Sequence, residues 1–489
     1  MTAGARLHET HVSVVVELGD RVYKLKKPVR LDFLDFRSRE ARRAVCEREV
    51  ELNRRLAPDV YLGVADVHGT DGELCDHLVV MRRMPDDRRL ATLVRRQEPV
   101  EAGLDALAHL LATFHARAER GPEISAAGHV GAVRGNWESG FETLAPFAGK
   151  VVDAALLSRA RSLVAEYLDG RTELFDGRVR DGHVCDGHGD LQCEDIFLLD
   201  DGPRVLDCIE FDDRLRHVDV ADDVAFLAMD LERLGAPALA TRFVRRYVEL
   251  TGDDFPRTLL DHYVAYRAQV RAKVAALRHA QGDEPAAEAA RALSSLMLTH
   301  LERGRVPLVL VGGLPGTGKS TLAASLAEAP GRLVLRSDEV RKELLGVPST
   351  RRVGDGYATG AYGADVTDRT YAQLLDRAGH LLALGHPVVL DASWSSAPAR
   401  AAAARVAAAN HSPLVELRCT APPAVTEARI ARRAARDTDA SDATVDVARE
   451  MAHRFDEWPS ATEIDTSTDR EDVTRAAREA VDAVVSRTE

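Results

Sequence analysis

A chain of 489 residues is longer than one hydrophobic core can fill, about 250–300 residues, so at least two domains are expected. Hydrophobic residues make up 45% and charged residues 29%, and no run approaches the roughly 18 apolar residues of a membrane helix, which excludes a helical span. The formal charge of −13 argues against a nucleic-acid binder, which needs a basic footprint; only about −3 of it falls from Gly304 onward, so the excess acidity lies in the N-terminal part, where a cationic small substrate would suit. The N-terminus has no apolar signal-peptide core, and six cysteines without a CxxC pair build no disulfide framework, so a cytoplasmic location is expected.

The first elements read as strands. HVSVVVEL and RVYKLKK flank Gly19-Asp20, a two-residue hairpin turn with glycine first, as type II′ requires. That register sets Val16 opposite Tyr23 and Val14 opposite Leu25 on an apolar face, and turns Lys24 and Lys26 to the other. Three of the seven lysines of the chain, Lys24, Lys26 and Lys27, sit on this strand. They read either as phosphate ligands or as protection of an edge strand. Residues 38–56 then carry helical spacing, LAPDVYLGV is extended, and residues 103–118 and 153–168 are amphipathic helices. HGDLQCEDIFLLDDGPRVLDCIEF reads as loop, strand, turn and strand, and helices follow to about Leu301. The pattern is a β-rich small lobe followed by a helical large lobe.

Phosphoryl transfer to a hydroxyl needs a base for the attacking oxygen, cations on the phosphates and a lysine on the nucleotide. In HGDLQCED, Asp190 is placed to accept the substrate proton and Asp195, five residues on, to reach a metal; Asp207, ending the next strand, is a second metal ligand. With these motifs, residues 1–303 resemble the aminoglycoside phosphotransferase family, kinase-like enzymes whose loop reads HGD-x4-N. The resemblance implies that Lys24 is the phosphate lysine and Glu49 its ion-pair partner, with Lys26 and with Glu47 or Glu51 as alternatives. It also implies that Asp219 and Asp223 hold the catalytic loop. Asp195 departs from the family's asparagine; it keeps the oxygen a hard cation wants and adds a charge.

A second fold begins at GRVPLVLVGG, so residues 304–489 are expected to form a separate α/β domain with a parallel sheet. Gly313 to Ser320 satisfies GxxxxGK[ST] between a strand and a helix. Gly313, Gly316 and Gly318 let backbone N–H groups wrap phosphates, Lys319 reaches the β and γ groups, and Ser320, followed by Thr321, ligates Mg²⁺. Asp338 follows a second strand with Arg341 one turn on, Asp391 ends a third, and Arg429 and Arg433 share a helix face at i and i+4. These pieces resemble P-loop kinases of the zeta toxin, polynucleotide kinase and gluconate kinase group. In that likeness Asp338 is the base, Asp391 supports the metal, and Arg429 and Arg433 belong to a lid that Ser441-Asp442-Ala443 follows.

The whole reads as a kinase-like domain of α+β type fused to a P-loop kinase domain: a cytoplasmic, ATP- and Mg²⁺-dependent phosphotransferase with two sites. Its expected acceptor is a small hydroxylated metabolite, an amino sugar or aminoglycoside by resemblance, with no nucleic-acid or membrane partner. Two alternatives stand beside it. In one, the front domain is a nucleotide-binding regulator of the P-loop kinase; in the other, the chain is an NTP-dependent switch acting through a protein.

Overall fold

The computed structural model describes residues 6–9, 13–31, 34–328, 331–348, 363–434 and 444–486. They form two compact units. The first comprises residues 1–144, 176–255 and 263–297, and the second residues 145–175, 256–262 and 298–489. The division is therefore not one cut before Gly304, the boundary expected from the sequence. Within the second unit, Arg305 pairs with Glu166 at 2.7 Å, Arg171 donates to the Asn410 carbonyl at 2.7 Å, and the Thr258 hydroxyl donates to the Gly385 carbonyl at 2.6 Å. These contacts assign the segment around helix Ala154–Asp169 and the start of helix Arg257–Ala280 to the C-terminal fold.

The first unit opens with a five-stranded antiparallel sheet, β1 (Arg6–Glu9), β2 (Ser13–Leu18), β3 (Arg21–Lys26), β4 (Tyr61–His68) and β5 (Leu74–Arg82), in the order β1-β2-β3-β5-β4. The hairpin has the expected register, Val14 with Leu25 and Val16 with Tyr23. Gly19 takes φ 61° while Asp20 stays out of the left-handed region, the signature of a type II′ turn. Because β3 is the central strand, its lysines do not guard an edge. Helix α1 (Arg39–Asn53), capped by the Ser38 hydroxyl accepting from Ala41 N–H at 3.1 Å, packs Cys46 and Val50 against Tyr61, Val79 and Met81 of the sheet. After the β-hairpin β6 (Ile196–Leu199) and β7 (Gly202–Val205), helices α2 (Val220–Arg233), α3 (Pro237–Thr251), α4 (Arg257–Ala280) and α5 (Ala286–Arg303) supply the helical part expected.

The second unit holds five parallel strands, β8 (Leu308–Gly312), β9 (Leu333–Arg336), β10 (Val388–Asp391), β11 (Leu414–Thr420) and β12 (Thr462–Asp465), in the order β9-β10-β8-β11-β12. Strand β8 reads LVLVG because it is buried on both faces. Val309, Val311, Val415 and Leu417 pack against Leu322 and Leu326 of α6 (Lys319–Ala327) and against Ala477 and Val481 of α9 (Arg470–Val485). Strand order reverses at β8, so the loop after it sits in the crevice at the carboxyl ends of the strands, where open α/β sheets hold ligands.

Candidate functional site

In the first unit the lysines and acids form one ion-pair network. Lys24 Nζ lies 2.9 Å from Glu49 and 2.8 Å from Asp207, and Lys26 Nζ lies 2.7 Å from Glu49 and against Glu210. Alternation along β3 sends both lysines to the α1 side of the sheet, where Glu49 is fully buried between them. Burial would raise the Glu49 carboxyl, but the two ammonium groups hold it below its usual range. Glu47 and Glu51 instead pair with Arg43 and Arg48 on the exposed side of the helix. Of the three glutamates, Glu49 pairs with both lysines; Lys24 reaches Asp207, and Lys26 is wholly buried.

Asp207 lies two residues beyond β7 rather than at its end, in left-handed backbone at φ 64°. The Tyr61 hydroxyl accepts from its N–H at 3.2 Å, and Asn53, one turn after Glu49 on α1, accepts from Cys208 N–H at 2.9 Å. The helix that holds Lys24 therefore also holds the Asp207 loop. Asn53 and Tyr61 went unnoticed in the sequence, although i+4 spacing from Glu49 marks Asn53.

The HGD loop is fixed from two sides. Asp223 accepts from His188 N–H at 2.8 Å and Gly189 N–H at 2.9 Å, and faces His115 Nε2 at 3.1 Å. Against burial, these contacts keep its carboxyl far below the ordinary range. Opposite, Arg267 donates to Asp222 at 2.7 Å and 2.8 Å and to the Gly189 carbonyl at 3.0 Å. Asp219, by contrast, caps α2 and pairs with Arg178 at 2.6 Å. Buried His188 is driven down to about 4 and is therefore neutral; its Nδ1 accepts from Asp190 N–H at 3.3 Å, so Nε2 carries the proton and donates to the Leu206 carbonyl at 3.2 Å.

On this frame Asp190 is recessed, accepts from Gln192 Nε2 at 2.9 Å, and burial raises its carboxyl to about 6. Asp195 is raised well above the carboxylate range by burial and then by Asp207 and Asp190. Asp207 acts on both Asp190 and Asp195, raising each; carboxylate oxygens are the donors a hard cation takes, but among the described residues no three acidic, histidine or cysteine side chains are grouped as a metal site.

In the second unit the loop after β8 places Gly313, Gly316 and Gly318 at φ 133°, 82° and 87°, and α6 starts at Lys319. A Cβ on Gly316 would stand 2.7 Å from the Thr426 carbonyl of α8 (Pro423–Ala434), so only glycine lets that helix approach the loop. Lys319 Nζ donates to the Leu314 carbonyl at 2.9 Å, folding the lysine over the loop. Lys319, Ser320, Thr321, Asp338 and Asp391 line one cavity of about 920 Å³. Burial raises Asp338, which lies 3.2 Å from Arg341 across the first turn of α7 (Ser337–Leu344). Asp391 accepts from Arg336 at 3.3 Å. Ser320 and Asp391, opening onto the same cavity, have the oxygen chemistry a Mg²⁺ ion requires.

Arg429 is not a solvated side chain: it donates to the Thr466 carbonyl at 2.7 Å, to its hydroxyl at 3.2 Å and to the Gly316 carbonyl at 3.5 Å. The Arg433 side chain and Ser441-Asp442-Ala443 lie outside the described residues. Arg432, at i+3 from Arg429, lines the cavity with Arg454 and Arg336. These three were missed because arginine is abundant throughout the chain and local spacing does not rank its members.

Residues 308–458 match the AAA domain family. Among solved structures, a gluconokinase from Sinorhizobium meliloti 1021 is 16% identical over 37% of this chain and 93% of its own, with a TM-score of 0.27. The GDP and kanamycin complex of APH(2")-IIia is 16% identical over 62% of this chain and 93% of its own, with a TM-score of 0.39. The uncharacterized protein Rv2004c of Mycobacterium tuberculosis is 45% identical over 466 residues, 95% of this chain and 93% of that protein. At that identity and coverage, the chain belongs to the family of this mycobacterial protein.

Proposed function

We propose that the chain is an ATP-dependent phosphotransferase with two nucleotide sites, each moving a γ-phosphoryl group to a hydroxyl of a small polar metabolite. The observation that carries this reading is a recurring set of groups. Each unit has a lysine facing the nucleotide position, Lys24 or Lys319, and an acid whose proton affinity burial has raised, Asp190 or Asp338. Asp190, raised to about 6, is mostly ionised at neutral pH yet basic enough to take a hydroxyl proton as the O–P bond forms.

In the first unit Asp190 receives the acceptor proton, Lys24 neutralises phosphate, and the paired anchors Asp223 and Arg267 keep the loop from shifting. In the second, backbone N–H groups and Lys319 hold the phosphates while Asp338 orients the acceptor and Arg432 and Arg454 add positive charge. A Mg²⁺ ion held by Asp195 and Asp207, or by Ser320 with support from Asp391, would supply charge neutralisation at the phosphates.

The test is phosphate transfer by the full chain. Asp190→Asn should remove one acceptor activity and Lys319→Ala the other, each leaving its counterpart intact. If either substitution silences both activities, the reading gives way to regulation of one site by the other. The mildly acidic second unit also favours a small acceptor over a nucleic-acid end: transfer should change little between low and moderate salt. Tight, steeply salt-dependent phosphorylation of a 5′-hydroxyl oligonucleotide would count against it.

A further inference from the structure

The acceptor of the first unit stands on the side of Asp190 away from the nucleotide, because the phosphoryl group passes in line between the two. The charges there come from α4. Arg267 donates to the Gly189 carbonyl, and Arg271 follows one turn further along the same face of the helix that meets the loop. Among cations, Arg271 acts first on Asp190, Arg89 and Lys24 on Asp195, and Lys24 and Lys26 on Asp207. Arg271 thus belongs to the acceptor side and Lys24 to the nucleotide side.

Arg267 has its carboxylate, Asp222. Arg271 does not: among the described residues it is half-buried and makes neither an ion pair nor a hydrogen bond. A planar fork of five N–H donors left unused beside a catalytic base matches a carboxylate or phosphate, which it binds through two parallel hydrogen bonds. An ammonium group at that place would meet like charge. From this arrangement we infer that the acceptor of the first unit carries an anionic group, a carboxylate or a phosphate, received by Arg271, and is not the amino sugar that family resemblance implies. The net acidity of the N-terminal part does not oppose this, because Asp195 and Asp207 lie on the nucleotide side and Asp222 and Asp223 are spent on the loop.

The inference rests on the first unit's site being organised as proposed, and the experiment separates the two. The full chain carrying Lys319→Ala is saturated with a non-hydrolysable ATP analogue and titrated calorimetrically with glycerate, glucose 6-phosphate, glucosamine and kanamycin. At least one anionic probe should bind tenfold or more tightly than both cationic ones. Arg271→Gln and Arg271→Glu should each weaken that binding at least tenfold, and Arg271→Lys by less, since an ammonium keeps the charge but not the fork. Tighter binding of the cationic probes, no binding of either anionic probe, or anionic binding indifferent to Arg271 would overturn the inference. Because Arg271 has no structural partner, its replacement leaves the fold intact, checked by an unchanged melting temperature. Turnover with ATP then judges the kinase reading by itself. Anionic probes bound through Arg271 without Asp190-dependent transfer would refute the kinase reading alone. Asp190-dependent transfer to glucosamine that survives Arg271→Glu would refute the inference alone.

Discussion

Replacing Lys26 with methionine should destabilise the first unit severely, whereas the same change at Lys24 should spare the fold and remove nucleotide binding. Lys26 is fully buried between Glu49 and Glu210, and Glu210 itself is 8% exposed. Its loss takes from buried Glu210 the lysine it pairs with, the situation in which breaking a buried pair costs about 3–5 kcal/mol. Lys24 sits at the mouth: Glu49 retains Lys26 when Lys24 goes, and Asp207, 48% exposed, is hydrated instead. That pair resembles a surface bridge, worth about 1 kcal/mol or less. With a urea dependence near 3 kcal/mol per molar, Lys26→Met lowers the midpoint by about 1–1.7 M and Lys24→Met by about 0.3 M or less. Fluorine NMR of the fluorotryptophan-labelled chain reads this directly, since Trp137 is the only tryptophan of the first unit. Equal midpoints for the two variants, or lost nucleotide affinity in Lys26→Met at unchanged stability, would refute the assignment.

Asp195→Asn should leave transfer by the first unit within about tenfold, about 1.4 kcal/mol in barrier, and should raise the melting temperature without nucleotide or Mg²⁺, because it removes one of three mutually repelling carboxyls. Asp207→Ala should abolish Mg²⁺-dependent nucleotide binding there, measured by calorimetry with the Lys319→Ala background. Asp223→Ala strips acceptors from two buried N–H groups at about 1–3 kcal/mol each; a tenfold or greater fall in kcat for the first unit alone checks this. Gly316→Ala places a Cβ against the Thr426 carbonyl at a left-handed φ, so nucleotide binding by the second unit should fall at least tenfold while the first unit keeps its activity.

Much of this arrangement was legible because it follows short-range rules. The hairpin register needs only the turn type and alternation, and it put Lys24 and Lys26 on one face before any fold was known. The P-loop is likewise local: strand, glycines and helix start fall within about a dozen residues, and the structure places each as read. What spacing left open was settled by long-range packing. Glu47, Glu49 and Glu51 all lie on one helical segment, and only the burial of Glu49 against the lysine face of β3 separates them. Asp222, Arg267 and His115 carry no motif, since each acts through a partner more than 40 residues away.

Asp195 is where local reading and packing meet. In the sequence it is a departure from a family pattern, read as a retained metal ligand with a degenerate, nucleotide-binding loop as the alternative. A decayed loop has no reason to keep its neighbours in place, yet Asp223 and Arg267 grip the loop on opposite sides and Lys24 spans Glu49 and Asp207. Helix α1 further ties the Asp207 segment to the sheet through Asn53. Asp223, Arg267 and Glu49 are buried charges and Asp207 is a left-handed residue, each a cost that its partners offset. The extra carboxylate therefore sits in a site whose supports are intact, and its repulsion with Asp207 and Asp190 is the kind that a bound cation relieves.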